Sequence, residues 1–361
     1  MAIIQKLHIR RFRNLNDQYI EPNKNINLIL GANGQGKTNV IECLYYLGHN
    51  RSFKTKNIKD VIPFDEDLIQ INALISDEKI TLKKSKNKST ILIGDTKIPS
   101  NSLLNKHLPT QIISPDRGFI VGGPPKLKRS YLDWGVFHDD KEILTTYKSY
   151  NKVLKNINTI LALKNPNQLD EWFTQLASLA IKITKARIKY INKLILILND
   201  SALTNLEGFV RSTDNLKFNF QSGWTKDVNE LDENEIFRYL INNKPSFIKA
   251  RHMSYGAHRA SIDFYLQNKN ESFLSRGEQK KLSIVFWMLQ VLVLSKEKST
   301  PVVLIDDISS ELDQKKINSI LGFLISLDIQ IFITDIGNKT LPLAPGKTNT
   351  YNIDKGIIAA V

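Results

Sequence analysis

The sequence predicts an α/β fold whose head is split by an inserted antiparallel helical arm of coiled-coil-like pattern. Three observations carry this prediction. Residues 31–38 read GANGQGKT between a strand-like apolar run (26–30) and a helical run (39–47). Residues 302–307 read VVLIDD, a second apolar strand ending in two carboxylates. Between these motifs, apolar residues recur at steps of three and four, which is helical rather than strand periodicity.

In chain order, β-rich runs at 3–9, 26–30, 68–75, 79–84 and 90–93 are separated by turns, and a strand at 111–113 follows a short helical stretch ending near His107. From about residue 141 to 200, glycine and proline vanish apart from Pro166 in KNPNQ. One stripe there runs Tyr147, Tyr150, Leu154, Ile157, Leu161. The other runs Trp172, Leu176, Leu179, Ile183, Ala186, Tyr190, Leu194. Two stripes joined near 165–169 describe a helical hairpin. Residues 205–250, with Asp227, Glu230, Asp232, Glu233 and Glu235 crowded together, receive no assignment. From Phe273 the α/β pattern resumes: an apolar helix, the strand 302–305, a helix through 317–324, and a last strand at 330–334. The expected division is 1–138 (head, N-terminal part), 139–249 (arm) and 250–361 (head, C-terminal part), in a chain of 361 residues, longer than one core usually supports.

Composition narrows the function classes. Hydrophobic residues at 42% and charged residues at 24% are a globular balance. The longest apolar run, 284–294, is interrupted by Gln290 and is too short to span a bilayer, and no cleavage site follows the N-terminal apolar residues. A soluble cytoplasmic protein without membrane contact is expected. The single cysteine, Cys43, excludes an intrachain disulfide and a multi-cysteine zinc site. A net charge of +14 points to a polyanion, with nucleic acid first, the alternative being basic drift in a Lys- and Asn-rich chain.

GANGQGKT matches the phosphate-loop pattern G-x-x-x-x-G-K-[ST] in the required strand-loop-helix context. Gly31, Gly34 and Gly36 let backbone N–H groups converge on a polyphosphate, with Ala32, Asn33 and Gln35 filling the loop. Lys37 puts an ammonium on the β/γ oxygens, and Thr38 offers a hydroxyl to Mg²⁺. ATP or GTP binding follows. Asp306 is the expected carboxylate on the Mg²⁺ side, and Asp307 stands where a general base would polarise attacking water. FLSRGEQKKL (273–282) opens a helix with Ser275 and Gly277 at its start, which reads as an N-cap or as a second anion site.

LSRGEQKKL resembles the signature motif of ATP-binding-cassette (ABC) ATPases, and SELD (310–313) resembles their D-loop. The resemblance implies that Ser275 and Gly277 contact the γ-phosphate of ATP held by a second copy, in a head-to-tail homodimer. Gln111 then fits the glutamine that senses Mg²⁺ and γ-phosphate. Further strings resemble one family, the bacterial RecF recombination and repair proteins. They are IRRFRNL (9–15), GHNRSFKT (48–55), ISPDRGFIVGGPPKLKRSYLDWGVF (113–137), LKNIN (154–158), YGAHRASID (255–263), LSRGEQKKL (274–282) and LIDDISSELD (304–313), in order across nearly the whole chain. Ala257 replaces a usual proline, Ser261 an often acidic residue, and the transporters' switch histidine is missing where the strand ends Ile333-Thr334-Asp335.

This resemblance implies a weak, DNA-stimulated ATPase whose hydrolysis is coupled to dimer dissociation. It would bind duplex and gapped DNA without sequence preference, work with a RecR-type mediator in recombinase loading at single-strand gaps, and act in replication-fork maintenance. A transporter cassette would not need the basic surface, and a chromosome-maintenance head would carry a far longer coiled coil. An overcoming-lysogenization nuclease would need an acidic C-terminal domain, and only residues 336–361 follow the last expected strand. A small-molecule P-loop kinase would lack the signature helix. Smaller features stay open: Arg11 and Arg13 as contacts to the ATP phosphates or adenine or as an exposed basic turn, Lys126, Lys128 and Arg129 as DNA-phosphate contacts or a solvated face, and His258-Arg259 as a structural or interface pair or an active-site pair. Cys43 is expected in the core, and Trp134 and Trp172 in the core or the arm seam rather than as base-stacking platforms.

Overall fold

The strands and helices follow one another as β1 (Ile4–Arg10), β2 (Gln18–Ile20), β3 (Ile26–Leu30), α1 (Lys37–His49), β4 (Leu68–Ile75), β5 (Glu78–Ser85), β6 (Ser89–Ile93), β7 (Thr96–Lys97), α2 (Asn101–His107) and β8 (Thr110–Ile113). Then come α3 (Pro125–Asp139), α4 (Ile143–Ala162), α5 (Leu169–Leu198), β9 (Leu216–Gln221), α6 (Glu233–Asn242), α7 (Lys244–Ala250), β10 (Ser261–Leu266) and β11 (Lys269–Asn270). The chain closes with α8 (Arg276–Lys296), β12 (Val302–Ile305), α9 (Gln314–Ser326), β13 (Ile331–Asp335), β14 (Thr348–Asp354) and β15 (Ile357–Ala360). The computed structural model describes residues 2–99, 101–114, 118–140, 142–163, 168–198, 206, 209, 215–297, 300–307, 312–335 and 346–361.

The described residues form two compact units, one within 1–118, 201–212 and 284–361, the other within 119–200 and 213–283. Residues 119–138 and 250–283, which the sequence groups with the head, thus pack with the arm. Among the described residues no helix is long and apolar enough to cross a membrane.

The first unit holds two six-stranded sheets, ordered β15-β14-β3-β13-β12-β8 and β2-β1-β4-β5-β6-β7. The former is parallel except for β15, which runs antiparallel to β14. Strands β3, β12 and β13 are mostly apolar (INLIL, VVLI, IFITD), as strands buried on both faces tend to be, with Asn27, Thr334 and Asp335 as their buried polar residues. The latter sheet is antiparallel, and β4 alternates buried and half-buried residues because only one of its faces meets the core. α1 packs in a core shared with both sheets, so Val40, Ile41, Cys43, Leu44, Tyr45, Tyr46 and Leu47 are all buried. Cys43 is a core residue, as expected. The expected end of the sheet at 330–334 is corrected: β14 lies parallel to β3 and β15 follows it. β14 hides from pattern reading because only Tyr351 and Ile353 of TNTYNID are buried.

The second unit centres on α4 and α5, the predicted antiparallel pair, with most of both stripes buried. α5 buries a wider band than one stripe, including Phe173, Ala177, Ala180, Ile181, Arg187 and Ile191, because it meets other helices besides α4. Those partners are α3 and, from the unassigned stretch, α6. The acidic cluster of that stretch is a helix start: Asp232 caps α6 by accepting from the N–H groups of Asn234 and Glu235, and Glu233 and Glu235 favour the positive end of the helix dipole. Ile236, Leu240 and Phe247 then cover the α4–α5 core, and Trp172 packs at its margin. The hairpin tip at 164–167 lies outside the described residues.

Two polar groups, the buried Arg187 and the half-buried His258, knit this unit. Arg187, 2% exposed, donates from Nε to Asp133 Oδ1 at 2.9 Å and from Nη1 to the Ala257 carbonyl at 2.7 Å, while the Tyr147 hydroxyl donates to the same Asp133 oxygen at 2.6 Å. His258 accepts from the Tyr150 hydroxyl at Nδ1 (2.9 Å) and donates from Nε2 to the Met253 carbonyl (3.3 Å), an arrangement for the neutral ring. Burial lowers the His258 pKa from 6.5 to about 4, helped by Arg259, Arg129 and Arg187 against the Met253 bond. A depressed histidine contributes stability fully above its unfolded pKa and loses it as pH falls. The thermal or urea midpoint should therefore drop between pH 7 and 4.5, with about 2–3 kcal/mol from this ring. His258→Gln should flatten that drop; an unchanged pH profile would contradict the assignment.

Candidate functional site

The phosphate loop leaves β3 and enters α1 with the geometry its glycines permit. A Cβ on Gly31 would lie 2.5 Å from the Ile353 carbonyl oxygen, so no larger residue fits beneath β14. Gly36, the N-cap of α1, has φ 118°, a left-handed value that L side chains rarely adopt. It supplies no side-chain cap, so the first N–H groups of α1 are left for an anion. The C-terminal hairpin braces the loop: the N–H groups of Lys355 and Gly356 donate to the Gln35 side chain and carbonyl at 2.6 and 3.0 Å. Ala32, Asn33 and Gly34 are exposed at its crest.

The parallel register brings the ends of β12 and β13 to this loop. Asp306 is 4% exposed, and its Oδ1 accepts from Thr38 Oγ1 at 3.1 Å and from Thr334 Oγ1 at 2.9 Å. The Asp307 N–H donates to that Thr334 hydroxyl at 2.9 Å. Burial pushes the Asp306 pKa up, opposed by the two threonine bonds. Lys37, 9% exposed, donates from Nζ to the carbonyls of Gly31 (2.7 Å) and Ala32 (2.9 Å). Burial lowers its pKa, and Asp307, Asp306 and Asp335 oppose that shift. Asp307 has φ 48°, a left-handed conformation that Asp tolerates and that recurs at functional sites.

A hard divalent cation fits here. Thr38 Oγ1 and Asp306 Oδ1 are adjacent oxygen donors, and among the described residues no three His, Cys, Asp or Glu side chains form a cage of their own. That donor set suits Mg²⁺, which takes the rest of its ligands from phosphate and water.

The structure therefore gathers Gly31, Gly34, Gly36, Lys37, Thr38, Asp306 and Asp307, and it separates Gln111 from them. Gln111 lies buried inside β8 opposite Val303, three residues before Asp306 and about 10 Å along the strand. The residue that β8 carries to the site end is Ser114, 1% exposed, with an unpartnered hydroxyl. Thr334 and Asp335 are not among the site residues expected from the sequence, which marks this strand end only for its missing switch histidine; position at the end of a parallel strand is the available signal.

In the second unit, Ser275 and Glu278 form a capping box. The Ser275 N–H and hydroxyl both donate to Glu278 Oε2 at 2.8 Å, and the Glu278 N–H donates back to Ser275 Oγ at 3.3 Å. Ser275 and Gly277 are exposed, and so is Phe273 at 80%. Behind this turn Lys128 and Glu271 form a buried ion pair, Glu271 Oε2 also accepts the Gly122 N–H at 2.7 Å, and Gln279 donates to the Glu271 carbonyl at 2.9 Å. Lys128 thus faces inward, and Arg129 donates to the Ala260 carbonyl at 2.9 Å, leaving Lys126 exposed. Arg13 pairs with the buried Glu42 and Arg11 with Glu66, both within the first unit. Ser310 and Glu311 lie outside the described residues.

The chain matches the RecF/RecN/SMC N terminal domain family over residues 3–358. It is 30% identical to the DNA replication and repair protein RecF of Psychromonas ingrahamii, covering 98% of this chain and 99% of that protein. With the RecF of Shewanella frigidimarina it shares 28% over 99% of each. A solved structure of the recombination mediator protein RecF with ATP, in the RecFOR pathway, superposes with TM-score 0.85 at 25% identity over 100% of this chain and 98% of that one. The Smc head domain of Pyrococcus furiosus shares the fold, with TM-score 0.55 at 13% identity over 100% of this chain and 96% of that one. A phosphate loop, an Asp-Asp strand end and an inserted helical unit thus stand on an ABC/SMC-type ATPase fold, and the chain belongs to the RecF family of DNA replication and repair proteins.

Proposed function

We propose that this protein binds Mg²⁺·ATP at Gly31–Thr38 and Asp306, closes on a second copy of itself around two nucleotides, and binds duplex and gapped DNA in that state. The observation that carries the reading is the join of Thr38, Asp306 and Thr334 beneath an uncapped helix start, with Lys37 held at the loop. Lys37 would neutralise the β/γ oxygens and Thr38 and Asp306 would hold the cation, while Asp307 would take the proton of the attacking water as the γ-phosphoryl group passes to that water and ADP leaves. The cation would supply polarisation of the phosphoryl oxygens. Weak hydrolysis, stimulated by DNA, would reopen the dimer.

The exposed start of α8 supports the dimer contact, because its first backbone N–H groups, at Gly277, suit a phosphate held by another copy, while the Ser275 donors are held by Glu278 and would have to exchange that carboxylate for the phosphate. The solved RecF with ATP supports the nucleotide, and the RecFOR pathway named with it supports a RecR-type mediator and recombinase loading at gaps. The charge of +14 supports DNA. Ser275→Arg tests the closure: sedimentation velocity with ATP should show monomer for the variant and dimer for the parent, with equal nucleotide affinity for both. A full dimer of the variant would contradict closure through Ser275.

A further inference from the structure

Asp335 is a buried acid that lacks the usual partners. It is 2% exposed, and neither carboxylate oxygen has a hydrogen-bond partner. Buried carboxylates are normally paired or hydrogen-bonded, so an unpartnered one points to something it receives. Its position says what. It ends β13, opposite Leu30, which the phosphate loop follows, while Ile333 two residues earlier lies opposite Ile305, which Asp306 follows. Its charge acts on Lys37 together with Asp306 and Asp307. The Lys37 ammonium itself is held by Gly31 and Ala32. Among the described residues no three acidic side chains converge on one metal position, and the cation's protein donors here are Thr38 and Asp306, which leaves Asp335 to act at longer range. Mg²⁺ keeps several waters when it binds, and each brings hydrogen-bond donors.

We infer that Asp335 accepts hydrogen bonds from water carried by the divalent cation of the bound nucleotide, and so makes nucleotide affinity depend on that cation. This rests on the ATP-site reading above. A nucleotide arriving without its cation meets three carboxylates against one ammonium and is repelled. With the cation, the buried carboxylate finds its donors. Asp335 is thus a positioning residue, acting through water.

The test is a titration of the full chain with a fluorescent ATP analogue, in Mg²⁺ and in EDTA. In the parent, removing the cation should weaken binding steeply. In Asp335→Asn the ratio of the two affinities should shrink about ten-fold or more, mainly through tighter cation-free binding. Asp335→Thr should change the ratio in the same direction, and the nucleotide-free Asn variant should melt higher than the parent. Equal ratios in parent and variants would overturn the inference. Lys37→Ala separates the two readings: if it binds as the parent does, the nucleotide site itself is misassigned; if it does not, equal ratios sink only the role of Asp335.

Discussion

Asp307→Asn should bind ATP as the parent does and hydrolyse it about 10²–10⁴-fold more slowly, the usual contribution of a positioned base. The substitution keeps the side-chain shape. It also keeps the backbone, since Asn tolerates the φ of 48° that Asp307 adopts, and its N–H still reaches the Thr334 hydroxyl. Stability should be unchanged and the nucleotide-bound dimer should accumulate. A parental hydrolysis rate in a phosphate-release assay would place the base elsewhere.

Lys37→Ala should weaken ATP binding about 100-fold. The ammonium is the one cation that the loop sequence itself offers to the β/γ oxygens, and hydrogen bonds to charged groups are worth about 1.5–3 kcal/mol each. It is already held at the loop by the Gly31 and Ala32 carbonyls, so little ordering is needed on binding. Unchanged affinity in a fluorescent-analogue titration would remove the site.

Much of this arrangement is legible in the sequence because it is local. GANGQGKT between a strand and a helix specifies its own turn, and VVLIDD places two acids after a buried strand whatever its neighbours are. The arm shows as helical steps. What stays hidden depends on partners far along the chain. The glutamine at 111 resembles a strand-end sensor, but the register with β12 sets it below the strand end and raises Ser114 in its place. Lys128 reads as an exposed basic residue until Glu271 is folded against it. Asp335 looks like an acid closing a strand, and only pairing with β3 and β12 brings it beside the phosphate loop. β14 is missed since only Tyr351 and Ile353 of its residues are buried, too few for a strand pattern to show.

The central claim, an ATP-closed dimer that holds DNA, is tested most directly by the anisotropy of a labelled gapped duplex over a salt series, with ATP and without. Joining two basic surfaces should raise affinity with ATP through simultaneous contacts. Log K should fall with log salt at a slope of about −0.9 for each neutralised phosphate. Mixed-sequence duplexes should bind alike, because phosphate contacts carry no base information. The predicted result is tighter binding with ATP and a steeper salt slope in that state; binding indifferent to both ATP and salt, or none at all, would contradict the account.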